Sequence, residues 1–192
     1  MNPILDLFKY FALFPAREGV LSIFLNGSSS YGQYAELKTY VESIAEPYVP
    51  EIGSLVFGQD LADVKRRIDS ITGNYLFIDF GEFSSTQLHN SFTETQKLAV
   101  TVADKVPDSA DMVECAIVSD ATLQLLVQVR QQLLIDSHSE AFPWLERISG
   151  SHDIIPFVAP ELKSLGWTLM FESEASDLFN VKSTILLERD EY

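Results

Sequence analysis

Residues 93–136, TETQKLAVTVADKVPDSADMVECAIVSDATLQLLVQVRQQLLID, decide how the rest of the chain is read. From 96 to 104 the residues alternate. Leu98, Val100 and Val102 share one face of a strand, and Ala99, Thr101 and Ala103 share the other. The second set is small, so that face lets another layer approach closely, either the helix that follows or a neighbouring subunit. An acidic turn comes next, and from Ser119 to Ile135 the period becomes helical. Asp120, Gln124, Gln128 and Gln131 form a polar stripe, with Leu125, Leu126, Val129 and Leu133 opposite. The intervening DMVECAIVS is ambiguous, because Val113, Cys115 and Ile117 also alternate. Asp111 and Glu114, spaced as in a capping box, favour helix. The long helix is therefore predicted over about 111–136.

Upstream of this unit, NYLFIDFGEF (74–83) is aromatic, β-branched and nearly continuous, as a central strand is. DLADVKRRIDSITG (60–73) has a helical shape, with Asp60 as N-cap, Leu61, Val64, Ile68 and Ile71 on the buried face, and Gly73 as the stop. GSLVFGQD (53–60) reads as a short strand. Residues 31–47 read as a helix carrying Tyr34, Leu37, Val41 and Ile44 on one face, and 19–27, GVLSIFLNG, as a possible strand. Ile4, Leu7, Phe8 and Phe11 give the first segment, 3–14, a helical face that Pro15 ends. Downstream, 137–153 reads as a loop with a short helical turn. GWTLMFESE (166–174) and LFNVKSTILLERD (178–190) alternate and are joined by a short link, which predicts an antiparallel hairpin. The fold class expected is α+β, a mainly antiparallel sheet with helices packed on one face. It forms a single domain over 1–192: a mainly helical part over 1–50, then the sheet and long helix over 53–192.

At 192 residues, 46% of them apolar, the chain can bury a core. Twenty-eight acids face thirteen bases, a formal charge of −15. Its dense basic cluster, Lys65-Arg66-Arg67, sits beside Asp63 and Asp69, and no base falls between Val106 and Val129. A field of this sign repels nucleic acid and anionic lipid and favours a basic partner. Cys115 is the sole cysteine, which excludes an intrachain disulfide. The N-terminus lacks the basic leading segment of a signal peptide, and no uninterrupted apolar run reaches the roughly 20 residues of a membrane span. A cytoplasmic location is expected, without nucleic-acid or membrane partners.

The residues that could carry chemistry do not cluster. His89, His138 and His152 are separated by 49 and 14 positions and read as surface or loop histidines. Cys115 lies among acids, which blunt a thiolate, and reads as a small core residue. Ser151, His152 and Asp153 are consecutive, whereas triads assemble in space, so the tripeptide reads as a polar turn. NGSSSYGQ (26–33) lacks the lysine of a phosphate loop. DFG (79–81) lacks the companion motifs of a kinase, leaving Gly81 as the exit turn of a strand. Asp104, Asp108 and Asp111 read as a solvated loop in preference to a loose divalent-cation site. Phe8, Phe11, Tyr75, Phe77, Phe80, Trp167 and Phe171 read as core in preference to a pocket lining. No catalytic, cofactor-binding or metal-ligating residue is assigned.

A helix at the N-terminus is followed by LVFGQDLADVKRRIDSITGNYLFIDFGEF, the strand KLAVTVADK, the helix SDATLQLLVQVRQQLLID, and the strands WTLMFESE and VKSTILLER. Over 53–192 this order resembles that of tail-completion or tail-terminator proteins of tailed bacteriophages and their relatives in prophages and other mobile elements. The resemblance implies a small, virion-associated α+β subunit that assembles into a ring on a tail tube or at a head–tail joint and has no catalytic signature. The expectation is a non-enzymatic structural or assembly protein that contacts itself or other assembly proteins. A monomeric acidic ligand- or protein-binding module is the alternative, and an enzyme ranks third.

Overall fold

The computed structural model describes residues 3–25, 29–59, 61–88, 91–139, 141, 142, 145 and 152–175. Along these the elements are α1 (Pro3–Phe11), α2 (Arg17–Leu21), α3 (Gly32–Glu42), β1 (Leu55–Phe57), α4 (Leu61–Asp69), β2 (Tyr75–Asp79), β3 (Phe83–Leu88), β4 (Ser91–Lys105), α5 (Met112–Asp136), β5 (Asp153–Ala159) and β6 (Ser164–Ala175). The strands form one sheet in the order β1-β2-β4-β6-β5, with β3 also paired to β4. β1 and β2 are parallel, and the other pairs are antiparallel. The class is α+β with a mainly antiparallel sheet.

The alternation in β4 sets the layers. Leu98, Val100 and Val102 join Leu76 and Ile78 of β2 and Leu169 and Phe171 of β6 in one apolar face. Leu126, Val129 and Leu133 of α5 pack on it, together with Leu7, Phe8 and Phe11 of α1, Val20 of α2 and Val41 of α3. The large set of β4 is therefore the one that meets the long helix. The small set faces away: Ala103 lies under α4, and Thr101 Oγ1 is 2.7 Å from Thr168 Oγ1.

Four helices thus share one face, but α4 corrects the single-face expectation. Its Val64 and Ile68 pack with Val56, Tyr75 and Ala103 on the opposite side. A parallel β1–β2 pair needs a crossover, and the unbroken apolar run in β2 supplies a second greasy face for the crossover helix to cover.

Three other expectations change. Of the strand expected over 19–27, the described residues 19–25 form none. Arg17–Leu21 is a helical turn, and Gly19 sits so close to the backbone of Gly53 and Ser54 that a Cβ would collide with the Gly53 carbonyl. Its apolar content serves burial of Val20, a signal that a short run cannot distinguish from a strand. β3 and β5 are strands that were not predicted. β5 carries Pro156, which counts against a strand, but among the described strands β5 is the edge of the sheet, where a missing N–H is tolerated. β6 pairs with β4 and β5, whereas the predicted partner 178–190 lies outside the described residues, as does Asp60. Helix ends also shift: α4 stops at Asp69, before Gly73, and α3 at Glu42.

β2 and β3 follow the same side of β4 and are separated by a bulge. Asp79 pairs with Ala99 and Phe83 with Gln96, so residues 80–82 oppose 97 and 98. Gly81 takes φ +48° there, and a Cβ on it would lie 2.6 Å from the Lys97 oxygen. The turn is closed by the Gly81 N–H donating to Asp79 Oδ1 at 2.9 Å and by Gln59 Nε2 donating to the Gly81 oxygen at 2.6 Å.

The start of α5 follows the sequence closely. Asp111 Oδ1 accepts from the Val113 and Glu114 amides at 2.8 and 2.9 Å, and Glu114 Oε2 accepts from the Asp111 amide at 2.8 Å. Replacing Asp111 with alanine is expected to cost about 1 kcal/mol. In urea unfolding this appears as a lower midpoint at unchanged slope.

Candidate functional site

The buried polar groups serve architecture. Tyr10 of α1 donates its hydroxyl to Asp136 Oδ2 at 2.8 Å, and Gln132 Nε2 donates to Oδ1 at 2.9 Å. This ties the first helix to the end of α5. Trp167 Nε1 donates to the Ser119 oxygen at 2.9 Å, fixing the middle of α5 over β6. The basic cluster is spent inside the chain. Lys65 pairs with Asp69 at 2.9 Å and Arg66 with Asp63 at 2.9 Å. Arg67 donates to the Leu55 and Gly19 oxygens and to Ser22 Oγ. Burial lowers the Arg67 pKa.

Among the described residues, those weighed from the sequence are not assembled into a centre. His89 and Ser151 lie outside the described residues. His138 is exposed just past α5, and half-buried His152 meets Phe171 edge-on at 6.1 Å. Cys115 is half-buried on α5. The three aspartates have three separate environments. Asp104 is half-buried, and burial raises its pKa against the pull of the Lys105 amide. Asp108 pairs with Lys163 at 2.7 Å, and Asp111 caps α5. Among the described residues no group of three or more His, Cys, Asp or Glu is placed to hold a metal ion. Phe8, Phe11, Tyr75 and Phe171 are core, as read; Phe80 stacks on Phe57 at 4.8 Å.

Among the described residues, concave surfaces lie at the bulge and beside α4. At the bulge, a cleft of about 540 Å³ is lined by Asp79, Glu82, Asp153 and Glu172 around Lys97, with Ala99 and Met170 as its apolar floor. Lys97 Nζ is 3.9 Å from Glu82 Oε2, leaving the rim acidic. Such a rim attracts cations, and among its described lining residues there is no Ser, Cys or His to act as a nucleophile or its base. A second groove, about 460 Å³, runs between α2, β1 and α4, and Arg66 and Arg67 line it.

The convex surface is more unusual. Met112, Val113, Ile117 and Ile135 of α5 are 89, 67, 64 and 64% exposed. Ile117 also lines a shallow hollow with Val106, Pro107, Ala110, Glu114 and Val118. On the edge strand β5, Ile155 and Val158 are exposed as well. By length and composition α5 is long and apolar enough to cross a membrane, although its Leu126, Val129 and Leu133 pack on the sheet. The sequence reading missed the exposed face because an apolar residue opposite the core stripe looks like a second buried contact. No protein-family model matches this chain, and neither a curated protein nor a solved structure matches it.

Proposed function

We infer that this chain is a non-enzymatic assembly subunit whose working parts are contact surfaces. The observation that carries the reading is the outer face of α5, where large apolar side chains stand in solvent on a helix otherwise anchored to a well-packed sheet. Exposed apolar patches of this kind mark association sites. The resemblance to tail-completion subunits gives the reading its specific form: a phage-type part that joins copies of itself or other structural proteins at a tail end or a head–tail joint. Light scattering after size exclusion, run from micromolar to millimolar concentration, is expected to show species larger than a monomer, and electron microscopy to show defined assemblies. A strict monomer throughout would overturn the reading.

The acidic cleft favours one second reading, a monomeric module that binds a basic ligand or protein. Its attraction would weaken as salt screens the carboxylates. Binding that is indifferent to salt would count against it.

A further inference from the structure

We propose that the groove between α2, β1 and α4 binds a small amphiphilic carboxylate, with Arg67 holding the head group and the apolar walls taking the body. The site is separate from the contact surfaces of the assembly reading and does not rest on it.

β1 ends at Phe57, and the chain crosses through α4 to the parallel strand β2. The crossover helix therefore forms one wall of the groove beside β1, and the segment leaving α2 forms the other. The volume, about 460 Å³, falls within the roughly 300–1,000 Å³ of small-molecule pockets, which combine apolar walls with a few fixed polar groups. Val56 and Val64, both almost fully buried, line it with Ile23, Leu25 and Phe57. The polar wall comes from α4 and the residue just after it. Asp63, Arg66, Arg67 and Ser70 recur there at helical spacing.

Arg67 is the group that calls for a ligand. It is half-buried. Its Nε donates to the Leu55 oxygen at 3.4 Å, and its Nη2 to the Gly19 oxygen at 3.3 Å and to Ser22 Oγ at 2.6 Å. These acceptors are neutral, so they fix the guanidinium in one orientation without cancelling its charge. Among the described residues no carboxylate stands within 4.0 Å of it, whereas Arg17, Lys65, Arg66, Lys97 and Lys163 each have one. Both N–H groups of Nη1 are undonated among the described residues. A partly desolvated cation without a counter-charge costs free energy that a bound anion offsets. Because its neighbours already hold it, Arg67 loses little side-chain freedom when that anion arrives. A carboxylate oxygen accepting from Nη1 makes a charge-assisted hydrogen bond. The charge of the lining selects a monoanion. Arg66 and Arg67 face the single carboxylate of Asp63, a balance of one positive charge, in a chain whose net charge is −15. Asp63 pairs with Arg66 at 2.9 Å on the exposed rim, which leaves Arg67 as the head-group site. A phosphate monoester approaches two negative charges at neutral pH and is repelled more strongly by Asp63 and by the chain as a whole.

The test is isothermal titration of the full chain with three octyl-chain probes. Sodium octanoate is expected to bind with a Kd of about 1 mM or tighter. 1-Octanol keeps the body and lacks the charge, and is expected to bind about tenfold more weakly or worse. Octyl phosphate should also bind more weakly than octanoate. Arg67→Gln is expected to weaken octanoate binding about tenfold or more. Because Arg67 also ties α4 to α2 and β1, Ser70→Glu supplies an independent arm. Ser70 is exposed and lies about one helical turn from Arg67, so a glutamate there brings the missing carboxylate from within the chain. It should weaken octanoate about tenfold by competition, with circular dichroism checking the fold of each variant. Octanoate that does not bind by about 10 mM, that binds no better than octanol, or that binds undiminished to either folded variant would overturn the site. Octyl phosphate binding more tightly than octanoate would overturn the carboxylate assignment. Oligomeric state does not enter these titrations, so their failure leaves the assembly reading standing.

Discussion

Replacing Phe11 with alanine is expected to lower the unfolding free energy by about 3–5 kcal/mol, as large-to-small changes at packed aromatic sites do. Phe11 is fully buried, edge-on to Tyr10 at 5.2 Å and tilted against Phe14 at 5.9 Å. Those rings belong to the same apolar cluster as Leu98 and Val100 of β4 and Leu126 of α5. The cavity therefore opens in the middle of one core and not beneath an appended helix. For a chain of this length each kcal/mol shifts the melting temperature by about 2–4 °C, so the loss amounts to roughly 10 °C. The form of the transition matters as much as its position. Far-ultraviolet circular dichroism and tryptophan fluorescence should move together, because helix and sheet share their apolar contacts. An early loss of helix followed by sheet melting at the wild-type temperature would show that the first fifty residues fold as a separate unit.

The parts of this fold that could be read in advance are those where one local signal dominated. Asp111 and Glu114 announced the start of α5 because a capping box satisfies specific backbone donors whatever the tertiary setting. The alternation in β4 was visible because both of its neighbours are strands and each face meets a different layer. Less legible were elements whose identity depends on their surroundings. Pro156 weakens β5 as a strand until the sheet order shows it at an edge. Gly81 looked like a strand exit, and only the register shows the chain bulging and continuing as β3. α4 reads as an ordinary amphipathic helix, and nothing in its own residues says which face of the sheet it will cover. The candidate interface is the extreme case. Val113, Ile117 and Ile135 look like core until the sheet is seen to take the other side of α5, and no spacing of chemical groups marks them.

The second large effect is expected in alkali, and it concerns the contact that joins α1 to α5. The Tyr10 phenol is held well above its ordinary pKa, first by burial and then by its hydrogen bond to Asp136 and the charge of that carboxylate. Tyr75 is pushed up to about 12, mainly by burial, with Asp104 adding to the shift and the neighbouring Ser164 hydroxyl opposing it without a well-aligned hydrogen bond. Unfolded tyrosines ionise near pH 10. Above that value the unfolded chain releases protons that the folded chain retains, so stability falls as pH rises. The slope is about 1.4 kcal/mol per pH unit for each such group. Below pH 10 both states keep these protons and the contribution is fully present. Tyr10→Phe is expected to cost about 1–2 kcal/mol at neutral pH, where Asp136 loses a donor. It also removes one titrating group, a share that reaches roughly 2.7 kcal/mol by pH 12. The stability curves of the two proteins should therefore converge above pH 10 and cross near pH 11, with the variant the more stable beyond. Urea unfolding at a series of pH values gives the answer. Curves that stay parallel through this range would mean that the Tyr10 hydroxyl titrates freely and does not bridge the helices as described.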